Sequence, residues 1–147
     1  MDARSVFDDL VRFETLLWNT VDARLVAEAD VPLGSLNVLM VVGAREHCRV
    51  QDVAAALAIT VGGASQAVDR LERRGWCARR PNPADRRSSI VEVTAPGREV
   101  LGRAGAVFDR ELERLLVAPL DPAALRQLAT ALGALRGAAT TRPEEQP

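Results

Sequence analysis

Residues 50–97 carry the pattern that most limits how this chain can fold. A short apolar-faced helix is predicted over 50–57, and after a tight break a second helix is predicted over 60–74. Gly75 ends that helix, because glycine readily takes the left-handed backbone that closes helices. Two short strands follow, joined by a basic tip at 81–88. The order helix, turn, helix, basic hairpin predicts a winged helix–turn–helix, whose second helix enters the major groove of DNA while the hairpin reaches the neighbouring backbone or minor groove.

The distribution of charge independently favours nucleic-acid binding. The net charge is -1 over 147 residues, which by itself argues against it. From Arg70 to Arg87, however, the chain has seven arginines and two acids, a local net charge of +5, and the other residues together carry -6. A compact positive patch is enough to neutralise phosphates. The alternative is a solvated, ion-paired helix face, but the arginines continue past the helix into the hairpin, where helical charge pairing cannot operate.

Composition argues against several other classes of protein. Two cysteines, Cys48 and Cys77, and one histidine, His47, are too few for a tetrahedral zinc site without carboxylates, so we expect no metal and no cofactor. Neither an acid–base pair nor a phosphate loop stands out, so we do not expect an enzyme. No apolar run approaches the length of a membrane span and no signal peptide opens the chain, so we expect a cytoplasmic protein that contacts no membrane and has no structural disulfide.

Helical patterns flank the central segment on both sides. Apolar residues recur at helical spacing over 6–25, and Ser5 is the expected N-cap, in a capping box with Asp8. This helix should end before Val31, which precedes a proline. After the hairpin, Thr94 and Asp121 are the expected starts of two further helices, each followed closely by proline.

The predicted architecture is one domain, 1–147, mainly α with a small β-hairpin wing. Its parts are a DNA-binding lobe at 33–95, dimerisation helices at 5–30 and 96–139, and a disordered tail at 140–147. The flanking helices carry more apolar surface than one copy of the lobe can bury, which favours a two-fold homodimer.

Several short elements of the central segment occur together at fixed spacing. They are Val53-Ala54, Thr60, Val68-Asp69-Arg70-Leu71-Glu72 with Gly75, Arg79, Asp85-Arg86-Arg87, and Val93-Thr94 with Gly97. With them the chain resembles the MarR family of bacterial winged-helix transcription regulators. The resemblance implies a triangular homodimer that binds a pseudo-palindromic, double-stranded DNA operator. It also implies a repressor, the role we expect here, or an activator, usually released by a small-molecule effector.

Helix geometry and the resemblance together predict which residues contact DNA. Thr60 caps the second helix, and Ala64, Val68 and Leu71 should face inward. The predicted DNA-binding residues are Thr60, Gly62, Gly63, Ser65, Gln66, Arg70, Arg73, Arg74, Arg79, Asp85, Arg86 and Arg87.

These residues have different expected roles. Gln66 suits adenine, and Arg70 suits guanine or a phosphate. We expect phosphate clamps at Arg73, Arg74, Arg79 and Arg80, a minor-groove residue at Arg87, an acid that holds an arginine at Asp85, and either role at Arg86. For any one of these arginines, a solvated surface charge explains the residue equally well.

Two departures from the usual pattern concern the helix starts. Gly62 and Gly63 fall in the first turn of the second helix, and each costs about 1 kcal/mol of helix propensity relative to alanine. We therefore expect this helix end to be loose in the free protein and to order on DNA. Arg49 stands where Ser or Thr would cap the preceding helix, which predicts a poorly capped start.

The effector site is the least defined part. The weak candidates for ligand-lining residues are Phe13, Trp18, Met40 and His47. Two other functions stay open. One is a thiol-responsive regulator acting through Cys48, whose pKa Arg45 and Arg49 could lower. The other is a winged-helix module that binds a protein.

Overall fold

The structure, a computed structural model, describes residues 1–141, which are mostly helical with one two-stranded sheet. In chain order the elements are α1 (Ala3–Ala29), α2 (Leu33–Gly43), α3 (Val50–Leu57), α4 (Val61–Arg73), β1 (Cys77–Pro81), β2 (Ser89–Val93), α5 (Ala95–Leu112), a π-helical turn (Glu113–Val117) and α6 (Pro122–Thr140). The predicted fold class, mainly α with a hairpin wing, is confirmed. The boundary between two compact units falls between Glu111 and Leu112.

The first unit contains the hydrophobic core. Its largest fully buried side chains include Leu25, Leu36, Leu39, Leu71 and Ile90, which come from α1, α2, α4 and β2. Burying each such side chain contributes about 1.5–3 kcal/mol, so this cluster holds the four elements together. The short apolar helix α2 contributes five buried residues of its eleven.

Helix α1 begins earlier than the sequence predicted. The Asp2 carboxylate accepts a hydrogen bond from the backbone N–H of Arg4 at 2.6 Å, which makes Asp2 the N-cap. The prediction of Ser5 as the cap is wrong, because an acid three residues upstream satisfies the first free N–H groups. The predicted end is confirmed: Asp30 closes the helix with a left-handed backbone (φ 54°) just before Val31.

Only the C-terminal end of α1 is buried within its unit. Val21, Leu25 and Ala29 are buried there. The preceding turns expose a row of large apolar side chains, of which Phe7 and Leu16 are each 66% exposed. The other exposed members are Val6, Leu10, Val11, Phe13 and Trp18.

No single helix within residues 1–141 has the length and hydropathy to cross a membrane, and α1 and α2 meet that test only as a pair bent by 83°.

Helix α3 has a cap despite the arginine at its start. The Asp52 carboxylate accepts a hydrogen bond from the backbone N–H of Arg49 at 2.9 Å and two from its guanidinium, both at 3.1 Å. These hydrogen bonds lower the pKa of Asp52, and those from the Arg49 side chain have the largest effect. Arg49 accepts no hydrogen bond from the first turn, as predicted, but Asp52 supplies the reciprocal half of a capping box by binding the Arg49 N–H, so the helix start is better held than the sequence predicted.

The hairpin is fastened at its base to the start of α5. Strands β1 and β2 pair antiparallel, with Cys77 opposite Val93. The Thr94 hydroxyl donates to the Gly75 carbonyl oxygen at 2.5 Å and accepts from the backbone N–H of Gly97 at 3.1 Å. Thr94 therefore caps α5, as predicted, and also ties it to the end of α4.

The second unit contains the π-helical turn and α6. The chain is α-helical to Leu112 at the end of α5 and continues with wider π turns to Val117. Asp121 caps α6 by accepting from the N–H groups of residues 123 and 124, both at 2.8 Å, as predicted. None of the residues 112–141 is buried. Helix α6 reaches Thr140, and residues 142–147 of the predicted tail lie outside the described part.

Candidate nucleic-acid interface

Helix α4 starts on a side-chain cap. The Thr60 hydroxyl accepts a hydrogen bond from the backbone N–H of Gly63 at 3.0 Å. A Cβ atom on Gly63 would lie 3.1 Å from that hydroxyl oxygen, whereas a Cβ atom on Gly62 would meet nothing within 4 Å. Gly63 therefore leaves room for the cap, and Gly62 leaves the helix backbone uncovered on its outer side.

The two faces of α4 separate as the helical period predicts. Ala64, Val68 and Leu71 are buried, in agreement with the prediction. Residues at spacings of four, four and three form the opposite, exposed face: they are Gly62, Gln66, Arg70 and Arg73. This spacing places them along one line of the helix, which is the arrangement that a groove-reading helix requires.

Arg79 lies inside an ion-pair network between the hairpin and α4. Its guanidinium Nη1 donates to Asp69 Oδ1 at 2.7 Å and to Glu72 Oε2 at 2.5 Å. Its Nη2 donates to the carbonyl oxygen and the hydroxyl of Ser65 at 3.3 and 3.4 Å. The Arg79 side chain is 23% exposed. The structure thus places this predicted phosphate clamp, together with Ser65, between the strand and the helix.

Two other predicted clamps also have partners within the chain. Arg74 donates to the Asp30 carboxylate at 2.9 Å and to its carbonyl oxygen at 3.0 Å. The same guanidinium lies 3.9 Å from the ring centre of Trp76, a cation–π distance. Arg80 Nε donates to Glu92 Oε1 across the hairpin at 2.5 Å. These pairs use part of the donor capacity that a phosphate would otherwise take.

The tip of the hairpin is organised by its own polar side chains. Asn82 Oδ1 accepts from the N–H of Ala84 at 3.0 Å, and Asn82 Nδ2 donates to the Ser88 hydroxyl at 3.0 Å. Asp85 Oδ1 accepts from the backbone N–H of Arg87 at 3.0 Å. Asp85 therefore holds Arg87 through its backbone, in agreement with the prediction that this acid holds an arginine.

Four of the predicted arginines point to solvent without a protein partner. Within residues 1–141 their guanidinium groups make no hydrogen bond or ion pair, and all four residues are exposed. They are Arg70 and Arg73 on α4, and Arg86 and Arg87 at the hairpin tip. A polar cleft of about 300 Å³ lies between the start of α3, α4 and the hairpin, and Arg87 and Ser65 are among its lining residues.

The two cysteines are both buried and free. Burial, reinforced by Asp52, raises the pKa of Cys48, although Arg45 and Arg49 act to lower it. The predicted direction for Cys48 is therefore wrong, because desolvation of the thiolate outweighs the nearby cations. Burial also raises the pKa of Cys77, from 9.0 to about 11.

The four candidate ligand residues lie in different places. Phe13 and Trp18 are exposed on α1, and Met40 is half-buried in α2. His47 is exposed in the turn after α2 and lines a cleft that includes none of the other three. Within residues 1–141, no group of three His, Cys, Asp or Glu side chains could hold a metal ion.

The sequence reading missed the partners of the paired arginines. Asp69 and Glu72 are three residues apart, so they lie on the same face of α4, and a strand with Arg79 follows them. This spacing was the signal that could have predicted an ion pair between the helix and the strand. It also missed Val61, which is 57% exposed at the start of α4, where an apolar side chain can contact a thymine methyl group.

Comparison with known proteins relates the central segment to one family. A model of the MarR family matches residues 29–88. The HTH-type transcriptional regulator BilQ of Clostridium symbiosum (strain WAL-14163) is 28% identical over 102 residues, which are 69% of this chain and 70% of BilQ.

Solved structures extend the likeness to nearly the whole chain. The MarR family transcriptional regulator Sco3205 from Streptomyces coelicolor, in complex with DNA, superposes with a TM-score of 0.88 at 25% identity, covering 99% of this chain and 93% of that one. CouR from Rhodococcus jostii RHA1, bound to p-coumaroyl-CoA, superposes with a TM-score of 0.77 at 24% identity, covering 86% and 87%. The central segment of this protein therefore matches the MarR family, and its fold is that of a MarR family transcriptional regulator.

Proposed function

We propose that this protein is a sequence-specific, DNA-binding transcription regulator that acts in the cytoplasm. One observation carries the proposal. The arginines of the basic segment divide into an internally paired group and a free group, and the free group lies on the exposed face of α4 and at the hairpin tip. Free, solvent-facing guanidinium groups on a helix and a wing are what phosphate and base contacts require. The DNA complex of Sco3205 supports the same function.

Each exposed side chain has a role suited to its chemistry. Gln66 reads adenine in the major groove, and Arg70 reads guanine or holds a phosphate. Arg73 contacts a phosphate, and Arg87 enters the minor groove beside Arg86. The paired residues Arg74, Arg79 and Arg80 act mainly as positioning residues, because their guanidinium groups are already held by carboxylates.

The active species in this proposal is a homodimer on a pseudo-palindromic operator. The exposed apolar row of α1, from Val6 to Trp18, is the surface that we propose to be buried by a second copy. A two-fold dimer also presents two copies of α4 to successive half-sites. Sedimentation velocity of the wild type and of Leu10→Asp tests this: the wild type should sediment as a dimer, and the variant should shift toward monomer.

We further propose that the protein represses its target promoter and that a small ligand releases it. CouR is bound to p-coumaroyl-CoA, which shows that this fold accommodates a ligand in that protein. A reporter gene placed behind the operator tests the direction of regulation. Deleting the gene that encodes this protein should raise expression of the reporter, and a fall in reporter expression would indicate an activator.

Binding to DNA is the first experiment. The probe is a duplex of about 30 base pairs from the region upstream of the protein's own coding sequence, measured across a salt series. We expect tight binding that weakens steeply with salt, because bound arginines release counterions from the DNA. Arg87→Ala should weaken binding about tenfold and reduce the salt slope by about one.

Two controls make the experiment specific. Arg24→Ala removes the same charge from an exposed position of α1 and should leave DNA affinity nearly unchanged. A scrambled duplex of the same composition should bind far more weakly. Weak binding that does not depend on the DNA sequence, with no effect of Arg87→Ala, would contradict the proposal. It would favour the alternative that the winged helix binds a protein partner.

The protein-binding module is the second candidate function. The exposed Ile59 and Val61 at the start of α4 favour it, since they are 44% and 57% exposed. The adjacent free arginines at the hairpin tip argue against it, because a protein-binding wing has little need of them. Charge-neutral Arg86→Gln and Arg87→Gln variants that keep full promoter regulation would favour this candidate.

A further inference from the structure

The C-terminal end of α1 is held by arginine side chains from two other helices. From α5, Arg110 pairs with the Glu28 carboxylate, and Arg103 Nη2 donates to the carbonyl oxygen of Ala29 at 3.2 Å. The last carbonyl groups of a helix lack partners within the helix, so cationic side chains placed there satisfy them and interact favourably with the helix dipole. These two contacts join α1 to α5.

Arg74 joins the same end of α1 to α4. Arg74 is the C-cap residue of α4, and Asp30 is the C-cap residue of α1. The guanidinium of Arg74 donates from Nη1 to the Asp30 carbonyl oxygen at 3.0 Å and from Nη2 to the Asp30 carboxylate at 2.9 Å. Two bonds from one planar group to one residue fix direction as well as distance. One side chain therefore connects the ends of the two helices.

A buried ring supports the Arg74 guanidinium. It lies 3.9 Å from the ring centre of Trp76, whose residue is only 6% exposed. The Trp76 N–H donates to the carbonyl oxygen of Leu71 at 2.9 Å, and the Trp76 carbonyl oxygen accepts from the N–H of Thr94 at 3.0 Å, so the tryptophan is fixed to α4 and to the start of α5. Stacking on a fixed ring restricts the arginine side chain, which offsets the entropy cost that usually weakens an exposed ion pair.

Arg73 and Arg74 are neighbours in the chain but have different surroundings. The Arg73 guanidinium has no partner within residues 1–141 and lies on the exposed face of α4. The next residue of a helix lies about 100° further round the axis, and here this turn directs Arg74 toward the end of α1. The direction of the Arg74 guanidinium is thus set by Asp30, whereas that of Arg73 is not set by any described residue.

We infer that Arg74 is a positioning residue that sets the distance and angle between the two copies of α4 in the dimer, because it fixes the end of α4 to the end of α1. The inference rests on the proposed function, in which a second copy holds α1 and each α4 reads one half-site. One extra base pair between half-sites moves them by about 3.4 Å and turns them by about 35°. A chain without the Arg74–Asp30 contact should tolerate that change better than the wild type.

Operators of altered spacing test this role. Footprinting on the upstream duplex locates the half-sites, and one base pair is then inserted or removed between them. The wild type should lose affinity about 30-fold, the scale of a poorly matched site, whereas Arg74→Gln and Asp30→Asn should each lose only about fivefold. Affinity for a duplex with a single half-site should stay within about twofold of wild type in both variants. Asparagine tolerates the left-handed backbone of Asp30, so Asp30→Asn removes only the charge.

The double variant and a matched control make the test specific. Arg74→Gln combined with Asp30→Asn should behave like either single variant, because both changes remove the same contact. Arg103→Gln frees the end of α1 from α5 instead, and should keep the spacing preference of the wild type. Suppose that Arg74→Gln weakens single half-site binding and lowers the salt slope by about one, while Asp30→Asn has no effect. Arg74 would then be a phosphate contact, and the inference would be overturned.

A distance measurement within one chain tests the joint without DNA. Nitroxide labels at Arg24→Cys on α1 and Arg73→Cys on α4, with both native cysteines replaced by alanine, report the position of α4 relative to α1. In labelled protein diluted with unlabelled protein, pulsed EPR should show a broader distance distribution for Arg74→Gln and an unchanged one for Arg103→Gln. Equal widths in the wild type and Arg74→Gln would overturn the inference. A broadened distribution, in a protein that binds no operator, would support the joint and contradict the proposed function alone.

Discussion

Arg79 holds Glu72 through two hydrogen bonds that come from different parts of the same residue. Its backbone N–H donates to Glu72 Oε1 at 2.9 Å, and its guanidinium Nη1 donates to Glu72 Oε2 at 2.5 Å. The first bond fixes the strand and the second fixes the side chain, so one carboxylate of α4 sets both the position of β1 and the direction of its arginine. The hairpin and α4 are therefore joined at a defined point.

Arg79→Met should weaken this joint. The change leaves Asp69 and Glu72 close together and partly buried without their cation, so we expect a loss of about 1–2 kcal/mol in the free energy of unfolding. The measurement is urea denaturation followed by Trp fluorescence. DNA affinity should fall as well, because the wing loses its fixed position.

Arg86→Met is the matched control for that change. Arg86 is exposed at the hairpin tip and has no partner within the described chain, so its removal should leave the unfolding free energy within about 0.5 kcal/mol of wild type. Equal stability of the two variants would show that the Arg79 network contributes nothing measurable.

Gly97→Ala should destabilise the protein although alanine is the better helix former. A Cβ atom at this position would lie 2.0 Å from the carbonyl oxygen of Trp76 and 2.8 Å from Val93 Cγ1. The backbone must shift, and we expect a cost of about 2–4 kcal/mol. Gly102→Ala in the same helix meets nothing within 4 Å and should stabilise by about 0.5–1 kcal/mol. Thermal unfolding of both variants makes the comparison, and a stable Gly97→Ala would refute the close approach.

Stability should fall as the pH rises from 9 toward 11. Burial raises the pKa of Cys77 from 9.0 to about 11, so the folded state retains a proton that the unfolded chain loses in this window. The chain contains no lysine and no tyrosine, so among its side chains only the two cysteines have an ordinary pKa near this window. We expect a loss of about 2 kcal/mol in urea unfolding between pH 9 and 11. The Cys48→Ala/Cys77→Ala double variant should show a nearly flat profile, and a parallel fall in both proteins would contradict the assignment.

Thiol chemistry should have little effect on the folded protein. Both thiols are buried with raised pKa values, so the reactive thiolate is scarce at pH 8. Ellman's reagent should modify both cysteines in 6 M guanidinium and neither at a comparable rate in the folded state. Peroxide should not change operator affinity. A loss of affinity on oxidation that Cys48→Ser prevents would restore the thiol-responsive alternative.

Gly62→Ala should separate stability from DNA binding. The added methyl group meets nothing within 4 Å and improves helix propensity, so the free protein should gain about 0.5–1 kcal/mol. On the exposed face of α4 beside Gln66, the same methyl group should obstruct close approach of the backbone to DNA and lower operator affinity. Fluorescence anisotropy with the operator duplex measures this, with Gly102→Ala as the control. Undiminished affinity would mean that the helix start does not approach DNA closely.

Local sequence signals predicted the elements that depend on near neighbours. The Thr60 and Asp121 caps and the buried face of α4 follow from residues within a few positions of each other, and all are confirmed. The start of α1 was missed because Asp2 and Ser5 are both good caps and the upstream acid takes the role. The Asp52 half of the α3 capping box was missed because it comes from an acid inside the helix and not from the residue before it.

The sequence by itself determined the fold class, the position of the hairpin and the basic character of residues 70–87. It could do so because hydrophobic periodicity, turn residues and charge are local properties of the chain. Only the tertiary structure decided which arginines are free. Arg79 and Arg87 look alike in a list of basic residues, yet one meets Asp69 and Glu72 and the other faces solvent. That difference depends on how β1 lies against α4, a contact between residues seven to fourteen positions apart. The burial that raises the pKa of Cys48 also depends on tertiary packing. It could not be predicted from the sequence, in which the neighbours of Cys48 are polar.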